Sequence, residues 1–155
     1  MVELTHNKHS VGQSAYHFVW KPKYNVKVFL HPWVREIGEK AIKDTAERHN
    51  IHIYELRVLP DHVHVFAELP PGLHVSKTLQ LLKGASAREI LKRCTKWRDF
   101  FQKGHNKVHL WSPGKFYRSV GNVTAGVVEK YIQQSQDGWN FSYLDKTQSC
   151  LDEFR

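Results

Sequence analysis

The sequence is poor in cysteine, in long hydrophobic runs and in acidic side chains. Its two cysteines, Cys94 and Cys150, form no metal-binding doublet and are predicted to be free thiols in a reducing compartment. No apolar run approaches the roughly 20 residues that span a bilayer, and the first residues lack the apolar stretch of a signal peptide. We therefore expect a soluble, cytoplasmic protein with no membrane partner.

The shortage of acidic side chains leaves a strong positive charge. Lys and Arg number 23 against 15 Asp and Glu, which gives a formal charge of +8 and an isoelectric point near 9.5. A cationic excess of this size favours a nucleic-acid partner, because each neutralised phosphate releases condensed counterions. Charge that serves only solubility is the alternative, and charge does not distinguish DNA from RNA.

Length and residue pattern predict one α+β domain. We expect it to cover residues 1–155, with its core at about 14–137 and an uncertain tail at 138–155. Runs of β-branched and aromatic residues predict strands over 14–20, 51–59, 62–69 and 108–120, the last interrupted at Pro113-Gly114. Apolar residues at helical spacing predict helices over 32–50, 75–94 and about 123–132, while 97–107 stays unassigned.

The order of these elements predicts a ferredoxin-like fold. Strand, helix, strand, strand, helix and strand match the split βαβ core, an antiparallel sheet with two helices on one face. The last helix, over about 123–132, is extra to that core. It can pack on its own sheet or on a partner subunit.

Two histidines separated by one residue, His62 and His64, lie inside the otherwise apolar strand PDHVHVF. Side chains alternate faces along a strand, so both imidazoles project from one side, about 7 Å apart along the chain. Such a pair can converge on one divalent ion, and Asp61 can orient an imidazole by accepting its second ring proton. We predict a metal site here, with Asp61 and His17 as supporting residues. A chance surface pair is the alternative, because the chain has 11 histidines.

Tyr131 lies in VVEKYIQQSQ on the last predicted helix. A tyrosine on an amphipathic helix is usually a core or interface residue. Its neighbours Gln134 and Ser135 share its helix face and are polar groups that can ligate metal or contact nucleic acid. Periodicity alone leaves both interpretations open.

Together these motifs resemble the single-tyrosine HUH endonucleases, and more closely the small TnpA transposases of simple bacterial and archaeal insertion sequences. The matching stretches occur in family order and span most of residues 14–136. They are YHFVWKPKY, PDHVHVF, LLKGASAREILK, LWSPGKFYRSVGN and VVEKYIQQ. Any one of them is a weak signal, and their joint order makes the resemblance specific.

The resemblance implies a transposase that cleaves and rejoins single-stranded DNA with hairpin ends through a 5′-phosphotyrosine. His62 and His64 would hold Mg²⁺ or Mn²⁺, and Tyr131 would be the nucleophile. The resemblance also implies a homodimer in which the extra last helix can complete the active site of the partner subunit.

Two positions depart from the family pattern. Many members carry Gln four residues after the tyrosine as a metal ligand, where this chain has Ser135, and Gln134 is the nearest substitute. Members often carry Glu four residues before the Asp of the histidine motif, where this chain has Arg57, and Glu55 can replace it. We therefore predict Gln134 and Glu55 as the remaining metal ligands.

Basic side chains beside small or aromatic residues are predicted DNA contacts. The cations are Lys21 and Lys23 beside Tyr24, and Lys83 and Arg88 around residues 84–87, whose small side chains permit close approach of a strand. Aromatic side chains that can stack on unpaired bases, or pack in the core instead, are Trp20, Trp111, Phe116 and Tyr117.

Two other functions are compatible with the sequence. A replication initiator, relaxase or repeat-associated tyrosine nuclease would share the chemistry and act on a different DNA. A nucleic-acid-binding protein with a vestigial site on the same fold would bind without cleaving, and Arg57 and Ser135 keep that alternative open.

Overall fold

The computed structural model describes residues 5–7, 10–12, 14–104 and 106–120. A short hairpin of β1 (Thr5–Asn7) and β2 (Ser10–Gly12) comes first. The other elements are β3 (Ala15–Trp20), α1 (Pro32–Arg48), β4 (His52–Leu59), β5 (His62–Glu68), α2 (Val75–Arg93), α3 (Thr95–Gln102) and β6 (Phe116–Val120). The predicted last helix, 123–132, and the tail lie outside the described residues.

Four strands form one antiparallel sheet in the order β4-β5-β3-β6. With α1 between β3 and β4, and α2 between β5 and β6, this order confirms the predicted ferredoxin-like split βαβ core. Strand β5 lies between β4 and β3. In that register, His64 lies opposite Arg57 on one side and opposite Val19 on the other.

The two long helices cover one face of the sheet. Every second residue of the central strands points to them, and Phe18 and Trp20 of β3 and Val63 and Val65 of β5 are fully buried there. The helices contribute to the same cluster with Val34, Ile42, Ala46, Leu79, Leu82 and Ile90. Burying one large apolar side chain stabilises the fold by about 1.5–3 kcal/mol, so this layer fixes the backbone from which the opposite face projects.

Only the second half of the predicted strand over 108–120 forms a strand. Pairing with β3 covers Phe116–Val120, and residues 108–115 make only an isolated bridge, between Trp111 and Pro22. The physical reason is Pro113-Gly114, because Pro lacks the N–H that a ladder needs and Gly weakens an extended strand. Residues 108–113 therefore form an irregular segment beside α2.

Helix α3 occupies the stretch that the sequence pattern left unassigned. Trp97, Phe100 and Phe101 form an aromatic cluster with ring centroids 5.0 to 6.1 Å apart, and Phe101 stacks on Tyr24. The helix has only 8 residues, too few to establish a helical period against its charged neighbours. Within the described ranges, no helix is long and apolar enough to cross a membrane.

Candidate active site

His62 and His64 project from the face of the sheet opposite to the helices, while Val63 between them points into the core. Their ring centroids lie 4.8 Å apart and their planes are inclined at 73°. His64 is 4% exposed, whereas the His62 side chain retains 16% of its exposure. The structure thus places both imidazoles on one side of β5, with His62 nearer the solvent.

Each of these imidazoles is held through its Nδ1 atom. His62 Nδ1 lies 2.6 Å from Asp61 Oδ1, and His64 Nδ1 lies 3.0 Å from His17 Nε2. A carboxylate only accepts, so the neutral form of His62 that can bind a cation carries its proton on Nδ1 and keeps the lone pair on Nε2. The same arrangement at His64 requires His17 to accept through Nε2. In this tautomeric state, both Nε2 atoms have the chemistry of a metal ligand.

The surroundings favour neutral imidazoles. Burial, followed by neighbouring positive charge, lowers the pKa of His64 to about 3. Burial, followed by the charge of Arg118, lowers the pKa of His17 to about 4. The hydrogen bond with His62 is the main cause that lowers the pKa of Asp61. At neutral pH, His17 and His64 are therefore uncharged beside an ionised carboxylate, and imidazoles must be neutral to bind a cation.

Arg57 and Glu55 pair with each other on β4. Arg57 lies opposite His64, and its Nε donates to Glu55 Oε1 at 3.1 Å. Glu55 is therefore engaged by Arg57 and is not gathered with the two imidazoles. In the described part of the chain, no three His, Cys, Asp or Glu side chains form a group that could hold a metal. Completing a coordination sphere around His62 and His64 thus needs a donor from outside that set.

The remaining predicted active-site residues lie outside the described residues. These are Tyr131 and Gln134, together with Ser135, which departs from the family pattern. Their roles stay predictions.

The predicted DNA-contacting cations differ in where they lie. Lys21 is only 4% exposed, and its carbonyl accepts a hydrogen bond from the Ser112 N–H at 2.9 Å. Lys83 is half-buried and its Nζ donates to the Ser112 carbonyl at 2.9 Å. Lys23 and Arg88 line an open cleft. Lys83 lines the same cleft, so three of the predicted cations have open space beside them, and the Lys83 ammonium already donates to a carbonyl.

That cleft has a volume of about 610 Å³ and lies between α2 and the irregular segment 108–113. Two hydrogen bonds connect Lys83 to this segment. The Lys83 Nζ donates to the Ser112 carbonyl, and the Lys83 carbonyl accepts from Trp111 Nε1 at 2.8 Å. Burial, followed by the charge of Lys115, lowers the pKa of Lys83 to about 8. Among the aromatic candidates, Trp20 and Trp111 pack in the core and Tyr117 is half-exposed.

Residues 10–135 match the family model of IS200-like transposases, which is most of the chain. The chain belongs to the IS200-like transposase family. It is 30% identical over 125 residues to the transposase of insertion sequence element IS200 from Salmonella typhimurium, covering 81% of this chain and 78% of that protein. It is 26% identical over 136 residues to the ISDra2 transposase TnpA of Deinococcus radiodurans, covering 88% and 94%.

Solved structures agree with this family at the level of the fold. A crystal structure from Deinococcus radiodurans R1, described as a transposase, has a TM-score of 0.65 at 24% identity and covers 84% of this chain and 96% of that one. A REP-associated tyrosine transposase bound to a REP hairpin has a TM-score of 0.56 at 17% identity and covers 88% and 75%. The described core of this IS200-like transposase thus has the architecture of its relatives.

Two contacts of this IS200-like transposase could not be deduced from sequence spacing. His17 and His64 are 47 residues apart and meet only because β3 pairs with β5. Lys83 and Ser112 meet across 29 residues because the irregular segment returns along α2. The sequence signal that could have found the first contact is the alternation of side chains along a strand. Once β3 is paired with β5 so that Val19 lies opposite His64, His17 is on the same face as His64 and lies diagonally beside it.

Proposed function

We propose that this IS200-like transposase cleaves and rejoins single-stranded DNA at the ends of an insertion sequence through a bond to Tyr131. The carrying observation is the pair of His62 and His64 on one face of β5, each contacted at Nδ1 by a partner, which suits Nε2 to be the ligand atom. The family match supports the nucleophile, because it extends through residue 135 and so includes Tyr131. Hairpin-ended single strands are the proposed substrate.

The donors present fit a hard divalent cation incompletely, and we assign the missing position to Gln134. His62 and His64 supply two neutral nitrogens, and an amide oxygen beside Tyr131 adds the kind of ligand that Mg²⁺ and Mn²⁺ accept. The chemistry that such an ion supplies when bound is polarisation of the scissile phosphate and stabilisation of its developing charge. We expect Gln134→Ala to weaken Mn²⁺ binding more than Ser135→Ala; the reverse order would refute this choice of ligand.

Tyr131 suits a reversible reaction. Its phenolic oxygen bonds to phosphorus as the bond from phosphorus to the 3′-oxygen breaks, the phenol loses its proton and the leaving 3′-oxygen gains one. One phosphodiester replaces another, so attack by a different 3′-hydroxyl rejoins strands without an energy source. Hydrolysis by activated water would lose that bond. Two ends must be processed with one nucleophilic tyrosine per chain, which favours a homodimer whose last helix can complete the partner's site.

The deciding experiment is formation of a covalent protein–DNA adduct. The full chain is incubated with Mn²⁺ and single-stranded DNA spanning the palindromes that flank its gene, and adducts are resolved under denaturing conditions. We expect an adduct that is absent in Tyr131→Phe, which lacks the proposed nucleophile, and reduced about a hundredfold in His64→Ala, which lacks a proposed ligand of the ion. The matched control is Tyr54→Phe, since the Tyr54 hydroxyl donates to Glu68 on the face that carries the histidines.

The pattern among the variants separates the alternatives. An adduct that persists in Tyr131→Phe and disappears in Tyr54→Phe would move the nucleophile to Tyr54. A wild-type chain that binds the strand without forming any adduct would favour a nucleic-acid-binding protein with a vestigial site. Cleavage of repeat-associated hairpins in preference to the flanking palindromes would favour a repeat-associated tyrosine nuclease.

A further inference from the structure

The exposure of the histidine face falls from β4 towards β3. On β4, the Arg57 side chain retains 43% of its exposure, whereas on β5 the His62 side chain retains 16% and His64 is 4% exposed. Val19 and His17, on β3, are almost completely buried. A ligand that reaches the two imidazoles therefore approaches from the β4 side, where Arg57 lies.

Strand pairing points the Arg57 side chain to the same face as the two histidines. Arg57 lies directly opposite His64, and Leu59 lies opposite His62. The Cβ atoms of residues paired in this way lie roughly 4.5–5.5 Å apart, so a guanidinium on its long stem can reach the space beside either imidazole. Burial is the main cause that lowers the pKa of His64, and the charge of Arg57 contributes after those of the two other histidines. The guanidinium therefore belongs to the surroundings of the histidine pair.

The Glu55 carboxylate holds one edge of this guanidinium. Arg57 Nε donates to Glu55 Oε1 at 3.1 Å, and the two side chains share a face of β4 because they are two positions apart. A guanidinium has five N–H donors, so four remain on its two Nη atoms. Among the residues that the structure describes, none makes a hydrogen bond with those Nη atoms. Arg57 thus keeps the edge that can bind a phosphate through two parallel hydrogen bonds.

The charges on this part of the face favour an anion between Arg57 and the histidine pair. A divalent cation held by His62 and His64 would have the same sign of charge as Arg57, and like charges a few ångströms apart repel. The nearby carboxylates of Glu55 and Asp61 already pair with Arg57 and His62. A phosphate of a DNA strand supplies a further negative group, and its oxygens can contact a cation and a guanidinium at the same time.

A salt bridge that serves only stability is the alternative for Arg57. An exposed pair contributes little to stability, because water solvates both groups and salt screens their charges. Arg98 and Asp99 form such an exposed pair on α3, which packs against α2 and not on the histidine face. The two arginines are similarly exposed and each pairs with a carboxylate, so the position of Arg57 opposite His64 is what distinguishes them.

We propose that Arg57 is a catalytic residue that binds the scissile phosphate through its two Nη groups, beside His62 and His64. The guanidinium then compensates the negative charge that develops on the non-bridging oxygens as the tyrosine attacks. Glu55 is a positioning residue, because its carboxylate holds Arg57 Nε without touching the DNA. The identity of the ligand as a DNA phosphate rests on the proposed function.

The first measurement is strand binding without cleavage. Fluorescein-labelled single-stranded DNA that spans the palindromes flanking the gene is titrated with the full chain in EDTA, and anisotropy is followed at several salt concentrations. We expect Arg57→Gln to weaken binding about five- to tenfold and to reduce the salt slope by about 0.7, the value for one single-stranded phosphate. Arg57→Lys should keep the salt slope and lose only about two- to threefold, because an ammonium keeps the charge without the planar fork.

The matched control is Arg98→Gln, which removes a similarly exposed and similarly paired arginine from α3. Its binding and salt slope should stay close to those of the wild-type chain. Equal losses for Arg57→Gln and Arg98→Gln would overturn the proposal, because the effect would then be one of net charge.

The second measurement finds the phosphate that Arg57 contacts. One phosphate at a time is replaced in the strand by an uncharged methylphosphonate. At the contacted position, the replacement should weaken binding to the wild-type chain about five- to tenfold and leave binding to Arg57→Gln unchanged, since the interaction is already lost there. We expect this position to be the phosphate that becomes joined to the protein in the adduct experiment. Equal losses in both chains at every position, or an Arg57-dependent phosphate elsewhere in the strand, would contradict the proposal.

Glu55→Gln tests the positioning role. It leaves the charge of Arg57 in place and removes the charged acceptor of its Nε. We expect binding of the strand to weaken about two- to threefold with an unchanged salt slope, and the affinity for Mn²⁺ alone to stay unchanged. A Glu55→Gln chain that loses Mn²⁺ binding would make Glu55 a metal ligand and overturn its positioning role.

The outcomes of these measurements and of the adduct experiment are independent. A methylphosphonate position that depends on Arg57, with no adduct in the wild-type chain, would keep the phosphate contact and remove the proposed strand transfer. An adduct in the wild-type chain, with no position that depends on Arg57, would keep strand transfer and remove the role of Arg57.

Discussion

On the two central strands, β3 and β5, both faces of the sheet are largely buried, and they differ in what they bury. On β3 and β5, the helix face carries Phe18, Trp20, Val63 and Val65, whereas the opposite face carries His17 and His64 among apolar neighbours. These sets alternate residue by residue along the same strands. One backbone therefore supplies apolar packing to one side and ionisable groups to the other, and the packing on the first side sets the positions of groups on the second.

The histidine face is unfavourable for stability taken alone. Burial withdraws His17 and His64 from water and lowers their pKa to about 4 and about 3. Burying these polar imidazoles lowers the free energy of unfolding, and the apolar packing on the helix face compensates for that loss. The comparison thus separates residues that maintain the fold from residues that maintain the site, and it can be tested at adjacent positions.

The largest effect is expected from truncation on the helix face. Phe18 is fully buried between the sheet and the helices, so Phe18→Ala should reduce the free energy of unfolding by about 3–5 kcal/mol. His17→Leu, one position away, keeps most of the volume and removes one partner of His64, which should cost about 1–3 kcal/mol. Urea unfolding of both variants measures the difference. A larger loss for His17→Leu would break the division between the two faces.

The next effect is expected at Asp61, which supports the proposed metal ligand His62. Asp61→Asn removes the carboxylate charge that His62 Nδ1 contacts at 2.6 Å, and loss of such support typically lowers metal affinity 10- to 100-fold. We expect Mn²⁺ affinity to fall by about that factor while the urea midpoint changes little. Asp44→Asn is the matched control, because Asp44 pairs with Lys40 on the solvent-facing side of α1. Equal Mn²⁺ binding in the two variants would contradict the assigned role of Asp61.

A smaller effect is expected from Lys83, a cation on the helix side. Its pKa is about 8 in the folded chain and 10.5 as the ordinary value, so between these pH values the unfolded chain binds more protons. Stability then rises with pH, and the burial cost is fully present below about pH 8. Relative to Lys83→Met, the wild-type chain should gain on the order of 1 kcal/mol between pH 8 and 10, allowing for screening by solvent in the cleft. A difference that is constant with pH would show that burial does not lower the pKa of Lys83.

The same comparison shows how far the sequence could predict this molecule. Strand alternation in PDHVHVF correctly separated the helix face from the histidine face, because its period is local to the chain. Other contacts depend on how distant segments meet. Strand register brings His17 to His64, side chains two residues apart on β4 pair Glu55 with Arg57, and the irregular segment that runs back along α2 brings Ser112 to Lys83. Residue patterns contain no direct record of either, so these contacts could not be included when Glu55 was predicted as a metal ligand and Lys83 as a DNA contact, and both roles stay predictions.

The smallest effect is expected at Gly84, and comparing it with Gly38 shows where close packing on the helix side ends. Among the residues that the structure describes, an added Cβ at Gly84 of α2 meets nothing within 4 Å, whereas at Gly38 of α1 it would lie 3.0 Å from Phe29 Cε1. Alanine favours a helix over glycine by roughly 0.5–1 kcal/mol, so Gly84→Ala should stabilise the chain by about that amount. Thermal unfolding of the two alanine variants, compared with the wild-type chain, measures both changes.

Gly38→Ala should lose stability despite the same gain in helix propensity, because the buried Phe29 ring cannot move away without disturbing Trp111, whose centroid lies 5.7 Å from it. Overpacking of a filled core typically costs about 1–3 kcal/mol, more than the propensity gain. If Gly38→Ala lowers stability and Gly84→Ala raises it, close packing extends over α1 and ends before the side of α2 that faces the cleft. Equal stabilisation by both substitutions would mean that the helix side is loosely packed throughout. The two faces of the sheet would then differ only in carrying apolar or ionisable side chains, and not in how closely they are packed.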